Sequence, residues 1–293
     1  VSAQPFTLSA VHVAKRLGIP ASFETSLFGN DDYLTICHQR LGIIWKHLFL
    51  SADKIVNISP PLEKACLDGG IPQYKLELIP NPVNEQEFYP AAFDERKTLR
   101  SKFHLEQGVK VFFSAGAICH RKGSDRLISA FIEIVPKEPS AILVLAGPVD
   151  NHPETLKFAN GLRSKIEKAG FSDRVRWLGR VDNVGDWMRA SDIFMFASCR
   201  EGFGTVFTEA MAVGIPIVAY SIDGITDFIF RDGSGAFIVN SEEAYINALL
   251  SLARSKALRH ECGESLRLQY SKTFSSKIIM DTYQRLFQKI SKT

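Results

Sequence analysis

The chain has 293 residues, which is enough for two domains of ordinary size with sizeable cores. Apolar residues make up 45% and charged residues 23% of the sequence, values typical of a folded α/β protein that exclude a disordered chain or a small disulfide-bonded scaffold. The formal net charge of +3 is too small for a nucleic-acid-binding face, which needs clustered Lys and Arg, so only local basic sites are compatible with it.

The first third of the chain predicts the end of a parallel sheet. Residues 54–59 and 76–80 have the apolar composition of short strands. Between them, Pro60-Pro61 favours the start of a helix that ends near Gly69. We therefore assign residues 1–95 to a first domain in which the sequence predicts only the end of a sheet.

A linker follows these strands. Pro80, Pro82 and Pro90 interrupt any periodic pattern, and a stretch punctuated by proline is typical of a connection between domains. The sequence places the domain boundary near residue 95.

Residues 96–267 predict a complete doubly wound domain. Apolar strands alternate there with helical patterns, and this alternation is typical of a parallel sheet covered on both faces. The predicted strands are residues 109–115, 141–146, 175–178, 192–197 and 215–220, and the predicted helices are residues 125–135, 155–169 and 206–213.

Residues 268–293 predict a closing helix. Its apolar residues recur at helical spacing, so the helix has a stripe that must pack on another part of the protein. The stripe consists of Ile278, Ile279, Tyr283, Leu286, Phe287 and Ile290.

The stretch from Glu201 to Glu209 carries the clearest chemical signal. It follows a predicted strand and opens a predicted helix, and Gly202 and Gly204 let the backbone approach a ligand closely. The free N–H groups and the dipole of the helix start suit an anionic phosphate or carboxylate. Glu209 is then placed to accept hydrogen bonds from sugar hydroxyls. The residues alone leave a second interpretation open, in which Glu201 is a solvated loop charge and Glu209 faces solvent.

A second loop, residues 116–123, follows the first strand of the same predicted domain. Ligands of open α/β sheets lie beyond the carboxyl ends of the strands, so we expect this loop and the first one to converge on one anion. Lys122 and Arg121 would donate charged hydrogen bonds to phosphate oxygens. The alternative is a pair of solvated charges before a helix.

Several absent motifs narrow the chemistry. The sequence has no P-loop motif, and Phe207 occupies the place of the third glycine of a dinucleotide-binding turn. No Asp-x-Asp pair marks a Mg²⁺ site, and the seven histidines and five cysteines lack metal-ligand spacing. We therefore expect no metal and no bound cofactor. No apolar run is long enough to span a membrane and no signal peptide is visible, which favours a cytoplasmic protein.

Taken together, these motifs resemble those of the retaining, nucleotide-sugar-dependent glycosyltransferases of GT-B fold, called group 1 or family 4. The resemblance covers roughly residues 55–240. It is carried by residues 79–83 (IPNPV), 122–123 (KG), 201–209 (EGFGTVFTE), 209–218 (EAMAVGIPIV) and 223–233 (DGITDFIFRDG).

The resemblance implies transfer of a sugar from a nucleotide diphosphate sugar to a glycan, lipid or small-molecule acceptor, with retention and without a metal. By motif position, Glu201 and Lys122 resemble the catalytic residues. The residues that resemble donor-binding positions are Glu209, Arg121, Gly116, Gly202, Phe203, Gly204, Thr205 and Val206. The chain departs from the pattern at Ala117, where the family has an arginine.

The resemblance also implies two Rossmann-like domains, of which the N-terminal one is incomplete here because the family has a longer N-terminal region. We expect an unpaired strand edge in that first sheet, open to self-association or to a partner chain, and contact with the inner membrane face is left open. Two rival hypotheses remain: a non-catalytic nucleotide-sugar-binding module that needs a partner chain, and a sugar-nucleotide epimerase of the same shape.

Overall fold

The structure is a computed structural model that describes residues 5–27, 29, 32–38, 40–230 and 235–291. Over these ranges the strands form two separate parallel sheets. The first sheet has the order β1 (Ser22–Thr25), β2 (Lys54–Asn57) and β3 (Leu76–Leu78). The two strands predicted from the sequence are confirmed as β2 and β3.

Four helices accompany the first sheet in the described part of the chain. They are α1 (Pro5–Arg16), α2 (Tyr33–Cys37), α3 (Gly42–Ser51) and α4 (Pro60–Asp68). Helix α4 confirms the predicted helix, with its two prolines in the first turn, where no backbone N–H is needed. The core beneath these helices includes Phe23 and Phe49, whose rings meet edge to face at 4.7 Å between centroids.

Helix α5 (Phe93–Lys102) begins after the proline-rich linker and already packs on the second sheet. Its Arg96 and Arg100 bind the Asp192 carboxylate at 2.8 and 3.3 Å, at the start of a strand of that sheet. The predicted boundary at residue 95 falls in the first turn of α5, and the division into domains itself stays a prediction.

The second sheet carries the site. Its strands are β4 (Lys110–Ala115), β5 (Ala141–Ala146), β6 (Val175–Gly179), β7 (Ile193–Phe196), β8 (Ile217–Tyr220) and β9 (Phe237–Val239), in the order β6-β5-β4-β7-β8-β9. Helices from both faces bury it: α6 (Ser124–Ile134), α7 (Pro153–Lys168), α8 (Val184–Ala190), α9 (Thr205–Val213), α10 (Thr226–Ile229) and α11 (Glu242–Arg254). All six residues of β5 are buried, as expected for an inner parallel strand. The five predicted strands and three predicted helices are confirmed within two residues at each end.

Two helices follow at the C-terminal end: α12 (Lys256–Thr273) and α13 (Ser276–Ile290). The predicted start of the closing helix at residue 268 is wrong, because that position lies inside α12. Phe274 ends α12, and its ring is buried against Phe203 and Phe228, which holds the turn between the two helices in place.

Helix α13 packs on the first sheet through Ile279, Leu286 and Ile290, which form a small core with Val56 of β2 and Ile79. Tyr283 joins this contact, and its hydroxyl donates to the Glu24 carboxylate at 3.1 Å. Phe287 of the predicted stripe is instead 50% exposed. The chain therefore returns to the first sheet after it has completed the second.

Candidate active site

The two loops predicted to converge do so at the carboxyl edge of the second sheet. One follows β4 and the other follows β7, and these strands are neighbours. Lys122 Nζ lies 2.6 Å from Glu201 Oε1, and Arg121 Nη1 lies 3.5 Å from Glu201 Oε2. Glu201 is only 8% exposed, so it is not a solvated loop charge. Two cations and one carboxylate leave an excess positive charge here, in the cleft between the carboxyl edges of the two sheets.

The loop after β4 reaches this position through a backbone that only glycine fits. Gly123 has φ +66°, and a Cβ atom there would lie 2.0 Å from the Ala197 carbonyl oxygen. The Arg121 carbonyl accepts hydrogen bonds from the Cys199 N–H at 2.9 Å and from the Ser198 hydroxyl at 3.0 Å. The loop after β7 therefore fixes the backbone that presents Lys122.

Gly116 and Ala117 lie where β4 ends. The Gly116 N–H still donates to the Ala146 carbonyl of β5 at 2.8 Å. A Cβ atom on Gly116 would lie 3.5 Å from Cδ of Lys122, so the lysine stem crosses the end of the strand. Ala117 is half-buried beside it.

The turn at residues 202–204 starts α9. Gly204 has φ +80°, which favours glycine, and a Cβ atom on Gly202 would lie 2.0 Å from the Ser26 carbonyl oxygen after β1. The Phe203 side chain is buried in the core, so this residue can offer a ligand only its backbone. The turn thus joins the start of α9 to the first sheet.

Thr205 is the first residue of α9 and Val206 the second, both half-buried. The Thr205 hydroxyl oxygen accepts a hydrogen bond from Asn81 Nδ2 of the linker at 3.2 Å. The free N–H groups of this nine-residue helix face the same edge of the sheet as Lys122. The predicted anion-ready helix start is therefore present.

Glu209 lies half-buried one turn further along α9. Burial raises the pKa of its carboxyl to about 7, and the charge of Glu87 in the linker contributes to the same shift. Within the described residues the Glu209 carboxyl has no hydrogen-bond partner. Glu209 is thus a half-buried carboxyl without a partner, with a pKa of about 7, rather than a solvent-facing helix residue.

Sequence reasoning missed the contributions of the linker and of the first sheet. From the linker, Asn81 donates a hydrogen bond to Thr205, and the charge of Glu87 contributes to the raised pKa of Glu209. Asn81 lies inside the stretch 79–83 that carried part of the resemblance. At the carboxyl ends of β1 and β2, the Thr25 hydroxyl donates to the Asn57 side chain at 2.7 Å. The Asn57 amide nitrogen and the Ser59 hydroxyl are buried without a partner in the described structure.

The motif at residues 223–233 is only partly described. Gly224 has φ +68° and lies against Pro61 of α4, and Thr226 binds the backbone of Ile222 through its hydroxyl. Arg231, Asp232 and Gly233 lie outside the described residues.

The described ranges contain no group of three or more His, Cys, Asp or Glu side chains placed to hold a metal ion. None of the helices there is both long and apolar enough to cross a membrane.

Two parallel sheets with the ligand-ready loops of the second directed to the cleft form the GT-B architecture, and solved structures share it. Anabaena HepE in complex with UDP and glucose has a TM-score of 0.80 at 19% identity, over 97% of this chain and 76% of that chain. The C-terminal domain of the Francisella tularensis group 1 family protein LpcC has a TM-score of 0.59 at 26% identity, over 66% and 98% of the two chains.

Residues 95–269 match the family model of the glycosyl transferases group 1. Since this match covers more than half of the sequence, the chain belongs to that family. The lipopolysaccharide core biosynthesis mannosyltransferase LpsB of Rhizobium meliloti is 30% identical over 152 residues, which are 52% of this chain and 42% of LpsB. The matches span about two fifths of the length of LpsB and of the next curated relatives.

Proposed function

We propose that the chain transfers a sugar from a nucleotide diphosphate sugar to an acceptor with retention at the anomeric carbon, and that it does so without a metal ion. The proposal rests on one observation above all: Lys122 and Arg121 meet at Glu201, beside the glycine turn that starts α9, and the half-buried carboxyl of Glu209 follows on that helix. The family membership of residues 95–269 supports the same reaction.

In this proposal the donor diphosphate lies between Lys122 and the free N–H groups of α9. As the bond from the sugar to the diphosphate breaks, negative charge grows on the leaving phosphate. A lysine and a helix start that are already in place stabilise this charge without reorganising. The departing phosphate accepts the proton of the acceptor hydroxyl as the new glycosidic bond forms.

Glu209 is assigned to the donor ribose. A carboxylate that accepts hydrogen bonds from two neighbouring hydroxyls gains the partners that it lacks among the described residues. Glu201 is assigned to the transferred sugar, since its carboxylate lies between the two cations and the glycine turn. HepE, which shares the fold, was crystallised in complex with UDP-glucose, and a uridine nucleotide is the first donor to test.

For the acceptor, we propose only its chemical class. Curated relatives are described as mannosyltransferases of the lipopolysaccharide core and as a D-inositol 3-phosphate glycosyltransferase. These names fit the proposed range of a glycan, a lipid or a small molecule. At the carboxyl end of β2, the buried side chains of Asn57 and Ser59 each have a polar atom without a partner in the described structure, and we propose them as the first positions to test on the acceptor side.

Calorimetric titration with UDP, GDP and ADP tests the donor site. We expect one of the three to bind, and the Glu209→Ala variant to weaken that binding by about 1.5–3 kcal/mol, the range for hydrogen bonds to a charged group. Glu167→Ala is the matched control, because this exposed glutamate lies in the last turn of α7, at the opposite edge of the second sheet from the donor loops.

Binding that is equal in wild type and Glu209→Ala would remove Glu209 from the donor site. A folded protein that binds none of the three nucleotides at millimolar concentration would overturn the proposed function. Donor hydrolysis measured with the nucleotide sugar that binds then separates an enzyme from a binding module.

A further inference from the structure

A second positively charged cavity lies at the opposite edge of the second sheet from the candidate active site. It measures about 350 Å³ and opens beside Asp192 and Pro216, the residues just before β7 and β8. The donor loops leave the carboxyl ends of the strands, whereas this cavity lies at their amino ends. It is therefore separate from the cleft described above.

One face of α12 forms a wall of the cavity. The lining residues of that helix are spaced three and four apart, so they form a single stripe. They are Lys256, Arg259, His260, Gly263, Glu264 and Arg267.

The opposite wall adds two arginines, Arg96 of α5 and Arg189 of α8. Arg189 is buried and paired with the carboxylates of Asp186 and Glu95. The other four Lys and Arg side chains of the lining stand against the two carboxylates of Asp192 and Glu264. Since the Asp192 carboxylate is bound by two arginines of α5, at 2.8 and 3.3 Å, the cavity keeps an excess of positive charge that favours an anion.

The cations of this cavity repel one another. Burial lowers the pKa of Arg96, Asp192 opposes this shift, and the nearby charges of Arg100 and Arg259 lower it further. Within the described residues, the side chains of Lys256 and His260 form no hydrogen bond or ion pair. An anion in the cavity would relieve the repulsion and supply the missing partners.

A neighbouring cavity adds further basic side chains to this site. It measures about 640 Å³ and shares Arg96, Asp192 and Lys256 with the first, and its other basic lining residues are Lys97, Arg100 and Lys110. The first cavity also touches Pro90 and Ala91 of the linker. A ligand held there would contact the second sheet and the linker at once.

We propose that this cavity is a binding site for a phosphate-bearing small molecule, separate from the donor site. Guanidinium groups of α5 and α12 and the lysine at the start of α12 match the oxygens of a phosphate or diphosphate group. The volume lies at the lower end of the range of small-molecule pockets, so the ligand is of the size of a sugar phosphate rather than of a polymer. The site does not depend on the proposed sugar transfer.

Inorganic pyrophosphate is the probe. Since pyrophosphate also fits the proposed donor site, its binding is measured by calorimetry on the full chain carrying Lys122→Ala. We expect a binding event to remain in this background. Adding Lys256→Ala and His260→Ala should weaken it by about tenfold or more, because a lysine and an imidazole N–H that donate to the phosphate are removed.

The matched control is Lys272→Ala, which removes an exposed lysine of the same helix outside the cavity. Both cavity positions are exposed, and thermal unfolding checks that the variants remain folded; the milder Lys256→Gln provides a second measurement.

Three outcomes would overturn the proposal. The first is an affinity that does not change when Lys256 and His260 are replaced, and the second is complete loss of pyrophosphate binding in Lys122→Ala alone. The third is binding to phosphatidylglycerol vesicles without binding of free pyrophosphate, which would indicate a lipid surface. Failure of nucleotide binding at the cleft would leave this cavity unaffected, so the two proposals fail separately.

Discussion

At the scale of single residues, the pair of Lys122 and Glu201 decides the electrostatics of the cleft. Glu201 is buried and shared by two cations, so the lysine is held in place before any ligand arrives. A prepositioned charge of this kind stabilises a transition state better than one that must be recruited from solvent. The proposed metal-free mechanism requires Lys122 to supply that charge.

We expect Lys122→Ala to lower the rate of transfer by about 10²–10³, the range found when one preorganised donor to a developing charge is removed. Addition of EDTA to the wild type should leave the rate unchanged. Initial rates with a labelled donor measure both effects, and Lys157→Ala, an exposed lysine of α7, is the control. Turnover that disappears in EDTA and returns with Mg²⁺ would contradict the metal-free proposal.

The raised pKa of Glu209 predicts a dependence of stability on pH. Burial raises the pKa in the folded protein to about 7 from an ordinary value of 4.5, so the folded state holds this proton more tightly than the unfolded state. The proton bound to Glu209 makes its full contribution to the free energy of unfolding below pH 4.5, and this contribution is lost as the pH rises to 7. Glu209→Gln should remove this loss, on the order of 2 kcal/mol.

Urea unfolding of wild type and Glu209→Gln at pH 4.5 and at pH 7 measures the difference. Glu243→Gln on α11 serves as the reference, because this exposed residue has no burial cost to remove. Parallel pH profiles for Glu209→Gln and wild type would show that the carboxyl is solvated in the folded protein.

The residues of the site were predictable where a strand-order rule applies. Ligand-binding loops lie beyond the carboxyl ends of parallel strands, so the convergence of the two loops could be predicted from the sequence, although the ion pair between Lys122 and Glu201 was not. The influence of Glu87 on Glu209 and the contact of Asn81 with Thr205 could not, because both depend on how the linker folds back. The assigned roles of the site residues stay predictions.

At the scale of elements, the glycine turn before α9 is defined by a close approach of two backbones. A Cβ atom on Gly202 would lie 2.0 Å from the Ser26 carbonyl oxygen, and backbone atoms cannot rotate away as a side chain can. We expect Gly202→Ala to lower the free energy of unfolding by about 1–3 kcal/mol, the usual cost of overpacking.

Gly161 provides the opposite case for comparison. It lies in the exposed middle of α7, and a Cβ atom there would meet nothing within 4 Å. Gly161→Ala should raise the stability by about 0.5–1 kcal/mol, because alanine loses less backbone entropy in a helix. Thermal unfolding of both variants measures the contrast, and equal midpoints would refute the close approach at Gly202.

The long apolar strands were the easiest elements to predict, since an inner strand such as β5 is apolar on both faces. Strand β9 has only three residues, all of them half-buried, and α8 has only seven residues. Neither element is long enough to show a clear periodic pattern of apolar residues. The break between α12 and α13 was missed because no glycine or proline marks the turn at Phe274. Only the tertiary contacts of its ring reveal that the chain turns there.

At the scale of the whole molecule, α13 ties the end of the chain to the first sheet. Leu286 is 2% exposed within that contact, and Met280 on the same helix is 57% exposed. Leu286→Ala should destabilise the protein by about 2–5 kcal/mol, as large-to-small changes in a core do, whereas Met280→Ala should have little effect.

Chemical unfolding followed by tryptophan fluorescence measures both variants. A Leu286→Ala protein as stable as wild type would mean that α13 does not hold the first sheet. Predicted self-association at the edge of that sheet stays a separate prediction, which light scattering of the wild type tests.

The linker and the start of α13 lie side by side, and this has a mechanical consequence. The Glu85 carboxylate accepts hydrogen bonds from the Tyr270 hydroxyl at 2.8 Å and from the Ser276 N–H at 3.2 Å, and the Ser276 hydroxyl donates to the Val83 carbonyl. The two segments that connect the sheets are therefore bound to each other at Glu85 and Val83. We expect any rotation of one sheet against the other to move these two segments together rather than separately.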